Sequence, residues 1–186
     1  MNILDRLFSN CRFSKKKSLA TKAELSQFLL DLVGDNVIDY EEYAMIEGIL
    51  QFSSLRVRDV MISRSQMVTL DSNEALSDCI AIVSNSHHSR FPVVDKTIDN
   101  IKGLVLTKDL LIHSQHDDAH TKKVADVARA AIFVPESKRL DALLKEFQST
   151  HNHMAIVVDE YGGVSGVITI EDVIEQITGG IEDEHD

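Results

Sequence analysis

The feature that most constrains this chain of 186 residues is a seven-residue pattern that occurs twice, at residues 103–109 and 166–172. Each copy begins with glycine, continues through mostly apolar residues and ends with aspartate, so each predicts a buried strand that runs into a helix. The two copies lie 63 residues apart. Three further pairs of segments correspond in the same order: 57–60 with 124–127, 88–90 with 151–153, and 92–95 with 156–159. An internal repeat of this length indicates one supersecondary unit used twice.

The end of the second copy, Thr169 to Asp172, allows two interpretations. Thr169 is a good N-cap, and Asp172 can reach back to the open backbone N–H groups of the first helical turn, which makes a capping box that needs no ligand. Alternatively, the carboxylate of Asp172 accepts two hydrogen bonds from a ribose diol, because its oxygens lie side by side. The helix N-terminus beside it favours a phosphate. The repetition of the pattern favours the ligand interpretation.

Further motifs carry a family resemblance, and they lie in five stretches: 56–64, 88–93, 159–166, 169–175 and 181–184. Together they resemble a pair of CBS domains, which are modules that bind adenosine ligands, and the likeness covers residues 24–186. It is closest to the CorC/HlyC family of magnesium and cobalt efflux factors. The resemblance implies an α+β fold, a CBS-domain pair of two β-α-β-β-α repeats with pseudo-twofold symmetry, preceded by a helical N-terminal segment.

The resemblance also implies a division of the chain into domains. Residues 1–52 are a basic tail and a helical segment, residues 53–115 the first CBS domain, and residues 116–180 the second. Residues 181–186 are an acidic tail. Because relatives usually continue into a small transporter-associated domain, this tail is expected to be its start. Each repeat is too small to bury its sheet alone, so the two must pack together.

Periodicity and turn residues place the individual elements. Residues 22–53 predict two helices, of which the first ends at Gly34. In the first repeat we expect strands at 67–70, 91–94 and 101–106, a turn at 96–100, and a helix capped by Asp71 or Ser72. In the second repeat we expect a strand at 131–134, a helix capped by Ser137, and a hairpin turn at 160–163 with positive φ at Gly162 and Gly163.

The resemblance implies two clefts between the repeats. In the second repeat, Thr169 and Asp172 match the family's ribose-binding residues. The first repeat departs from this motif, because Leu106 stands where a hydroxyl residue is expected three positions before Asp109. We therefore expect the ligand in the cleft that contains Asp172, and Asp109 is the corresponding candidate in the other cleft.

Arg90 and His153 are aligned by the repeat and are predicted to occupy equivalent positions beside the central strands. Arg90 could bind phosphate oxygens with its forked guanidinium, or it could form a surface salt bridge. His153 could contact the ligand or be a packed or solvated histidine. Both are candidate residues of the adenine-nucleotide site that the resemblance implies. The expected ligand is AMP or ATP, either alone or together with Mg²⁺.

The charge of the chain is −11 at pH 7 and is unevenly distributed. Residues 1–22 contain six Lys or Arg residues against one Asp, a charge of +5, which leaves −16 for the remainder. An acidic body argues against nucleic-acid binding, which needs clustered basic residues. It permits divalent cations or a basic protein partner. Residues 1–18 place apolar side chains on one helical face beside basic ones, which predicts either a peripheral membrane contact or a frayed terminus.

Cysteine usage and hydropathy indicate the compartment. Cys11 and Cys79 have neither zinc-site nor disulfide spacing, which is typical of a reducing compartment. No apolar run is long enough to span a bilayer, and the N-terminus lacks the apolar core of a signal peptide. We expect a cytoplasmic protein, with peripheral contact at the inner face of the membrane as an option.

Motifs for metal binding and catalysis give no strong signal. His113, His116 and His120 share a linker with two aspartates and could bind a transition metal such as cobalt. Their spacing matches no standard metal site, which favours a polar linker. The acidic stretch at 171–186 could complete a magnesium–nucleotide site or form a solvated tail. The sequence contains no nucleophile motif and no P-loop, so we expect a binding and regulatory protein rather than an enzyme.

The expected function is a regulatory CBS pair that binds an adenine nucleotide and supports magnesium and cobalt homeostasis or efflux. The ion-transport part rests on the resemblance. The expected partners are the nucleotide, a second copy of the chain in a homodimer formed through the CBS pair, and a membrane ion transporter. The alternative is a dimerisation or assembly module that binds no nucleotide.

Overall fold

The computed structural model describes residues 21–114 and 120–179, except for the side chain of Ser114. The first part forms, in order, α1 Lys22–Gly34, α2 Tyr40–Phe52, α3 Val57–Val60, β1 Ile62–Ser63, a 3-10 turn Arg64–Gln66, β2 Leu70–Asp71, α4 Leu76–Ser86, β3 Arg90–Asp95, β4 Thr97–Leu106 and α5 Thr107–Ser114. The second part forms α6 Val124–Val127, β5 Phe133–Pro135, α7 Leu140–Thr150, β6 Met154–Val158, β7 Val164–Thr169 and α8 Ile170–Thr178. This order confirms the α+β class and the two repeats.

The two predicted N-terminal helices are confirmed. Each begins at an N-cap whose side chain accepts a backbone N–H, Thr21 for α1 and Asp39 for α2. α2 packs against α8 at the end of the second repeat. The two helices approach so closely that a Cβ at Gly48 would lie 2.8 Å from the carbonyl oxygen of Ile177. The N-terminal helical segment therefore packs on the second repeat.

The strands form two sheets, one in each repeat. In the first, β2 is parallel and β4 antiparallel to β3. In the second, β5, β6 and β7 have the same arrangement, and β1 adds as a fourth strand antiparallel to β7. β1 belongs to the first repeat in sequence, so it crosses to the second. On the opposite side Arg129 crosses to the first repeat and exchanges two backbone hydrogen bonds of 2.8 Å with Leu104.

The glycine that begins each repeated pattern lies where these crossing segments pass. A Cβ at Gly166 would lie well under 3.0 Å from the carbonyl oxygen of Ile62, and one at Gly103 would lie equally close to that of Arg129. No side chain fits at such distances unless a strand moves, which is a known reason for glycine inside a strand. The repetition of glycine in the sequence therefore has a packing cause.

The predicted cap of the first-repeat helix is wrong. α4 begins at Leu76, and its N-cap is Ala75, which has no capping side chain. Neither Asp71 nor Ser72 takes that role. The open N–H of Leu76 donates instead to the backbone carbonyl of Lys122 at 3.1 Å. This carbonyl lies in the segment that crosses from the second repeat, so the cap is supplied from a distant part of the sequence.

The predicted cap of the second-repeat helix is wrong for the same reason. α7 begins at Leu140, with Arg139 as its N-cap, and Ser137 does not cap it. The N–H of Leu140 donates to the carbonyl of Leu55 at 3.1 Å. Both caps therefore come from the crossing segments, which sequence-local capping rules do not detect.

Two predicted strand bounds are wrong by a few residues. β2 covers Leu70–Asp71 rather than 67–70, and β5 covers Phe133–Pro135 rather than 131–134. In both cases pairing with the central strand of the sheet begins later than the apolar run does. The start of the apolar run is used for packing between the repeats instead.

The two hairpin turns also differ from the prediction. The turn expected at 96–100 is confined to Lys96, which adopts a φ of 64°, because β4 already begins at Thr97. In the second hairpin Gly162 has a φ of 84°, whereas Gly163 does not have positive φ. The N–H of Gly163 donates to Oδ1 of Asp159 at 2.8 Å, so a side-chain cap closes this turn.

Each repeat also contributes residues to the hydrophobic core of the other. Val124, from the start of the second repeat, is fully buried in the core of the first. Phe52 and Val57 are buried in the core of the second. A third apolar group, which includes Ile156 and Val167, lies between the two sheets. The predicted domain boundaries stay a prediction, because this packing follows the crossing rather than the order of the sequence.

A polar junction joins β4 of the first repeat to β7 of the second. Arg64 donates from Nη2 to Oδ2 of Asp99 at 2.7 Å, and it donates from Nη1 to Oδ1 of Asp99 and to the carbonyl of Val164. The N–H of Val164 donates to Oδ1 of Asp99 at 3.0 Å. The hydrogen bonds from Arg64, and then that from Val164, lower the pKa of Asp99 to about 2. The junction is therefore ionised at neutral pH.

We expect Gly166→Ala to lower the free energy of unfolding by about 2 kcal/mol, because the added Cβ meets a backbone carbonyl. Gly34→Ala is the matched control, since a Cβ at Gly34 meets no atom within 4 Å. It should change stability by less than about 1 kcal/mol. Urea denaturation followed by circular dichroism measures both variants. Equal stabilities would contradict the crossing geometry.

Candidate ligand-binding clefts

A cleft of about 230 Å³, which we call the Thr169 cleft, opens between the repeats where β1, β3 and β7 meet. Its apolar walls come from both repeats: Ile62, Met67, Val68, Pro92, Met154 and Val167. Its polar groups are Gln66, His87, His88, Ser89, Arg90, Thr169 and Glu171. Apolar walls with a few convergent polar groups are the usual form of a small-molecule site.

Thr169 and Asp172 form the capping box that the sequence predicts. The N–H and the hydroxyl of Thr169 donate to Oδ2 of Asp172 at 2.7 and 2.9 Å, and the N–H of Asp172 donates back to Oγ1 of Thr169 at 3.2 Å. Thr169 lines the cleft, and Asp172 lies behind it, half-buried. Within the described part of the chain no residue hydrogen-bonds Oδ1 of Asp172. The cap therefore fixes the carboxylate through Oδ2 alone.

Glu171, in the first turn of α8, lies between the candidate residues Arg90 and His153. Its Oε1 is 3.9 Å from Nη1 of Arg90 and 3.8 Å from Nδ1 of His153. These separations exceed hydrogen-bond length, and the Glu171 side chain is 63% exposed, so solvent screens both interactions. Arg90 is 24% exposed and lines the Thr169 cleft, so an anion there could displace the weak contact with Glu171.

The prediction that Arg90 and His153 are equivalent is wrong. β3 begins at Arg90 and β6 at Met154, and each of these residues pairs with the last residue of the next strand. The equivalent of Arg90 is therefore Met154, and the equivalent of His153 is Ser89. The hairpin of β3 and β4 is one residue longer than that of β6 and β7. The segments from α4 to β3 and from α7 to β6 are aligned without a gap. Only the first repeat supplies a guanidinium at this position.

A second cleft of about 140 Å³, which we call the Leu106 cleft, lies at the pseudo-symmetric place. Leu106 ends β4 as Thr169 ends β7, which confirms that the first repeat lacks the hydroxyl. Asp109 is paired within the chain, because its Oδ2 is 2.6 Å from Nη2 of Arg129. Arg90 lines this cleft as well as the other. Its lining is completed by Leu104, Arg129, Ala130, His151, Asn152, His153 and Met154.

Three residues of the clefts are not indicated by the sequence. Glu171 lies inside the predicted motif, so the sequence shows that a negative charge is present there. The sequence does not predict that Glu171 approaches Arg90 of the other repeat. Ile62 and Arg129 reach the clefts because their segments cross between the repeats. No local pattern marks that crossing apart from the glycines that it passes.

The other candidate groups in the sequence add no site within the described residues. Residues 1–18, His116 and the acidic tail at 181–186 lie outside these residues, so the interpretations placed on them stay predictions. Over 21–114 and 120–179, no group of three or more His, Cys, Asp or Glu side chains is placed to hold a metal ion.

Cys79 and the hydropathy of the helices can be judged directly. Cys79 is fully buried in the first-repeat core, and burial raises the pKa of its thiol to about 12. It therefore remains protonated and is a packing residue. Among the helices of the described ranges, none is long and apolar enough to cross a bilayer.

Comparison with known proteins identifies the family. The sequence model of the CBS domain matches residues 57–116 and 124–179. The magnesium and cobalt efflux protein CorC of Salmonella typhimurium strain LT2 is 48% identical over 163 residues, 88% of this chain and 56% of that protein. CorC of Vibrio cholerae is 47% identical over 165 residues, with 89% and 56% covered. The chain therefore spans about half the length of these relatives.

Solved structures agree with this family. The CBS domain of the bacterial CNNM/CorC family Mg²⁺ transporter has a TM-score of 0.79 at 38% identity and covers 89% of this chain and 100% of that one. The same domain in complex with ATP gives 0.72 at 40% identity, with 76% and 99% covered. A Klebsiella pneumoniae CBS-domain pair with bound AMP gives 0.60 at 28% identity, with 67% and 99% covered. The chain belongs to the CBS-domain family, as a CBS pair of the CNNM/CorC kind.

Proposed function

We propose that the chain binds an adenine nucleotide, AMP or ATP, in the Thr169 cleft, and that this binding regulates magnesium and cobalt homeostasis or efflux. The observation that carries the proposal is a capping box, Thr169 with Asp172, at an apolar cleft shared by both repeats. The role is binding and regulation rather than catalysis.

The walls of the cleft suit a flat purine base. Met67 and Val68 come from the first repeat and Val167 from the second, so a base would lie between side chains of both. A methionine thioether makes favourable contacts with aromatic rings and adapts its shape to them. The base therefore gains apolar contact without a dedicated aromatic partner.

The polar groups suit a ribose phosphate. Oδ1 of Asp172 can accept hydrogen bonds from the ribose hydroxyls, since Oδ2 is held by Thr169. The N-terminus of α8 carries a partial positive charge that favours the phosphate. Arg90 can donate to phosphate oxygens in a bidentate manner. Because Arg90 and Asp172 belong to different repeats, the nucleotide would bridge the two.

A magnesium ion would accompany ATP more than AMP. Glu171 places a carboxylate 3.9 Å from Arg90, and thus beside the proposed phosphate position. It repels a triphosphate, whose charge is larger than that of a monophosphate. Mg²⁺ prefers carboxylate and phosphate oxygens and neutralises both. The proposed ligand is therefore Mg²⁺–ATP or AMP.

Regulation would arise because the ligand contacts both repeats. A ligand shifts an equilibrium between two packings only by its difference in affinity for them. α8 carries Asp172 and begins directly after Thr169. It also packs on α2. A ligand that displaces α8 would therefore displace the N-terminal helical segment as well. A membrane ion transporter, on the cytoplasmic side, is the proposed partner that responds.

Two kinds of relative support this proposal. CorC is a magnesium and cobalt efflux protein by name and is about half identical to this chain where the two align. CBS domains of related fold are known in complex with ATP and with bound AMP. The transport role of the whole protein and the identity of the nucleotide remain parts of the proposal.

The alternative is an assembly module that binds no nucleotide and forms a homodimer. Its support is a set of exposed apolar side chains on α5 and α8, Leu111, Ile112 and Ile174, which are 44, 57 and 42% exposed. A second copy of the chain could cover them. On this alternative the capping box has no role beyond the helix.

We expect Asp172→Ala to weaken binding of AMP and of Mg²⁺–ATP at least tenfold, because the ribose loses hydrogen bonds to a charged acceptor. Isothermal titration of the purified chain with each nucleotide, with and without Mg²⁺, measures this change. Wild-type protein should bind at one site. Absence of binding by the wild-type chain would support the assembly module instead.

The control for this variant is Asp126→Ala. Asp126 accepts the N–H of Lys123 at 2.9 Å in the capping box of α6, so its removal costs a helix cap but lies outside the Thr169 cleft. Both variants should lose about 1 kcal/mol of stability. Only Asp172→Ala should lose affinity, and an equal loss in both would contradict the site assignment.

We expect Glu171→Gln to reduce the dependence of ATP binding on Mg²⁺. Removing this carboxylate lessens repulsion of the triphosphate, so affinity for ATP without Mg²⁺ should rise roughly two- to fivefold. Titrations at zero and saturating Mg²⁺ give the ratio. Glu175→Gln, one turn further along α8, is the control and should leave the ratio unchanged. An unchanged ratio in Glu171→Gln would show that another group sets the requirement.

A further inference from the structure

We propose that the Leu106 cleft is a second nucleotide cleft that the chain closes with its own guanidinium. Arg129 and Leu106 thereby limit the chain to one nucleotide. The inference rests on the proposed function, since it assumes that the Thr169 cleft binds a nucleotide.

The two clefts are related position by position. Gly103 and Gly166 each lie under a crossing segment, and the carbonyls that pass them belong to Arg129 and Ile62. Arg129 therefore holds in the Leu106 cleft the place that Ile62 holds in the Thr169 cleft. Both residues line their cleft. An apolar wall residue in one cleft is thus replaced by a cation in the other.

The cation is bound to the carboxylate that a ribose would need. Asp109 corresponds to Asp172 in the repeat, and its Oδ2 lies 2.6 Å from Nη2 of Arg129. The Asp109 side chain is 17% exposed and that of Arg129 is 60% exposed, so the carboxylate is shielded from water and the guanidinium is not. A ribose would compete with the guanidinium of Arg129 for the carboxylate oxygens. Displacing Arg129 would leave a partly buried charge without its partner, which is costly.

The remaining parts of a nucleotide site are still present. Leu104 and Ala130 give apolar surface, and Arg90 and His151 give donors for an anion. The cleft is smaller, about 140 Å³ against about 230 Å³. What the Leu106 cleft lacks is a free carboxylate and a hydroxyl three residues before it. Two substitutions that copy the other cleft would supply both, Leu106→Thr and Arg129→Ile.

The direct test is Leu106→Thr with Arg129→Ile on an Asp172→Ala background, titrated with AMP and with Mg²⁺–ATP. The Asp172→Ala chain should bind neither at micromolar concentration, and the triple variant should regain binding at one site. Without Asp172→Ala, the double variant should bind two nucleotides per chain. Leu106→Thr with Arg129→Lys is the matched control and should gain nothing, because lysine still occupies Asp109.

A folded triple variant that binds nothing, while the wild-type chain binds one nucleotide, would overturn this inference alone. Two nucleotides bound by the wild-type chain would also overturn it. A wild-type chain that binds none would contradict the proposed function instead. The fold of each variant is checked by circular dichroism.

A second measurement is independent of binding and of the triple variant. Asp109→Asn should lower the melting temperature of the wild-type chain, because it removes the ion pair with Arg129. In an Arg129→Ile background it should raise the melting temperature, because the partly buried carboxylate there has already lost its partner. Equal shifts in both backgrounds would show that Arg129 does not occupy Asp109, and would overturn the inference.

Discussion

The exchange of crossing segments between the two repeats is the constraint on which the rest of the structure depends. β1 leaves the first repeat and pairs with β7 of the second. In the opposite direction, Arg129 of the second repeat pairs with Leu104 in β4 of the first. The same segments cap α4 and α7 through their backbone carbonyls and place apolar residues in the opposite cores. Gly166 and Gly103 are required because the chain passes there without room for a Cβ. Neither half completes its hydrogen bonds or its core without the other.

The clefts are a consequence of that exchange. Because each crossing segment lies beside the strand that leads into the following helix, residues of both repeats converge at the helix N-termini. In the Thr169 cleft, Arg90 of one repeat and Thr169 of the other line the same cavity. In the Leu106 cleft this convergence brings Arg129 onto Asp109. The two repeats thus give two clefts that differ in charge, because different side chains stand at equivalent places: Asp109 is paired with Arg129, whereas Asp172 is held by its own helix cap.

Much of the fold and part of the site could be predicted from the sequence, since those features are local. The strand that runs into a helix at Thr169 and Asp172 depends on neighbouring residues, and its capping box was predicted correctly. The helix cap expected at Ser137 was wrong because the acceptor comes from a segment far away in sequence. The pairing of Arg129 with Asp109 could not be predicted for the same reason. The predicted equivalence of Arg90 with His153 was wrong. The first hairpin is one residue longer than the second, and the prediction placed this extra residue before β3 instead of between β3 and β4.

The most direct test of nucleotide binding between the repeats is a crystal structure of the chain with Mg²⁺–ATP. We expect the nucleotide in the Thr169 cleft, with its ribose hydroxyls within hydrogen-bond distance of Asp172 and its base against Met67 and Val68. The ion pair of Arg129 with Asp109 should remain intact in the other cleft. A nucleotide bound in the Leu106 cleft, or outside both clefts with Asp172 bonded only to its own helix, would contradict the proposed site.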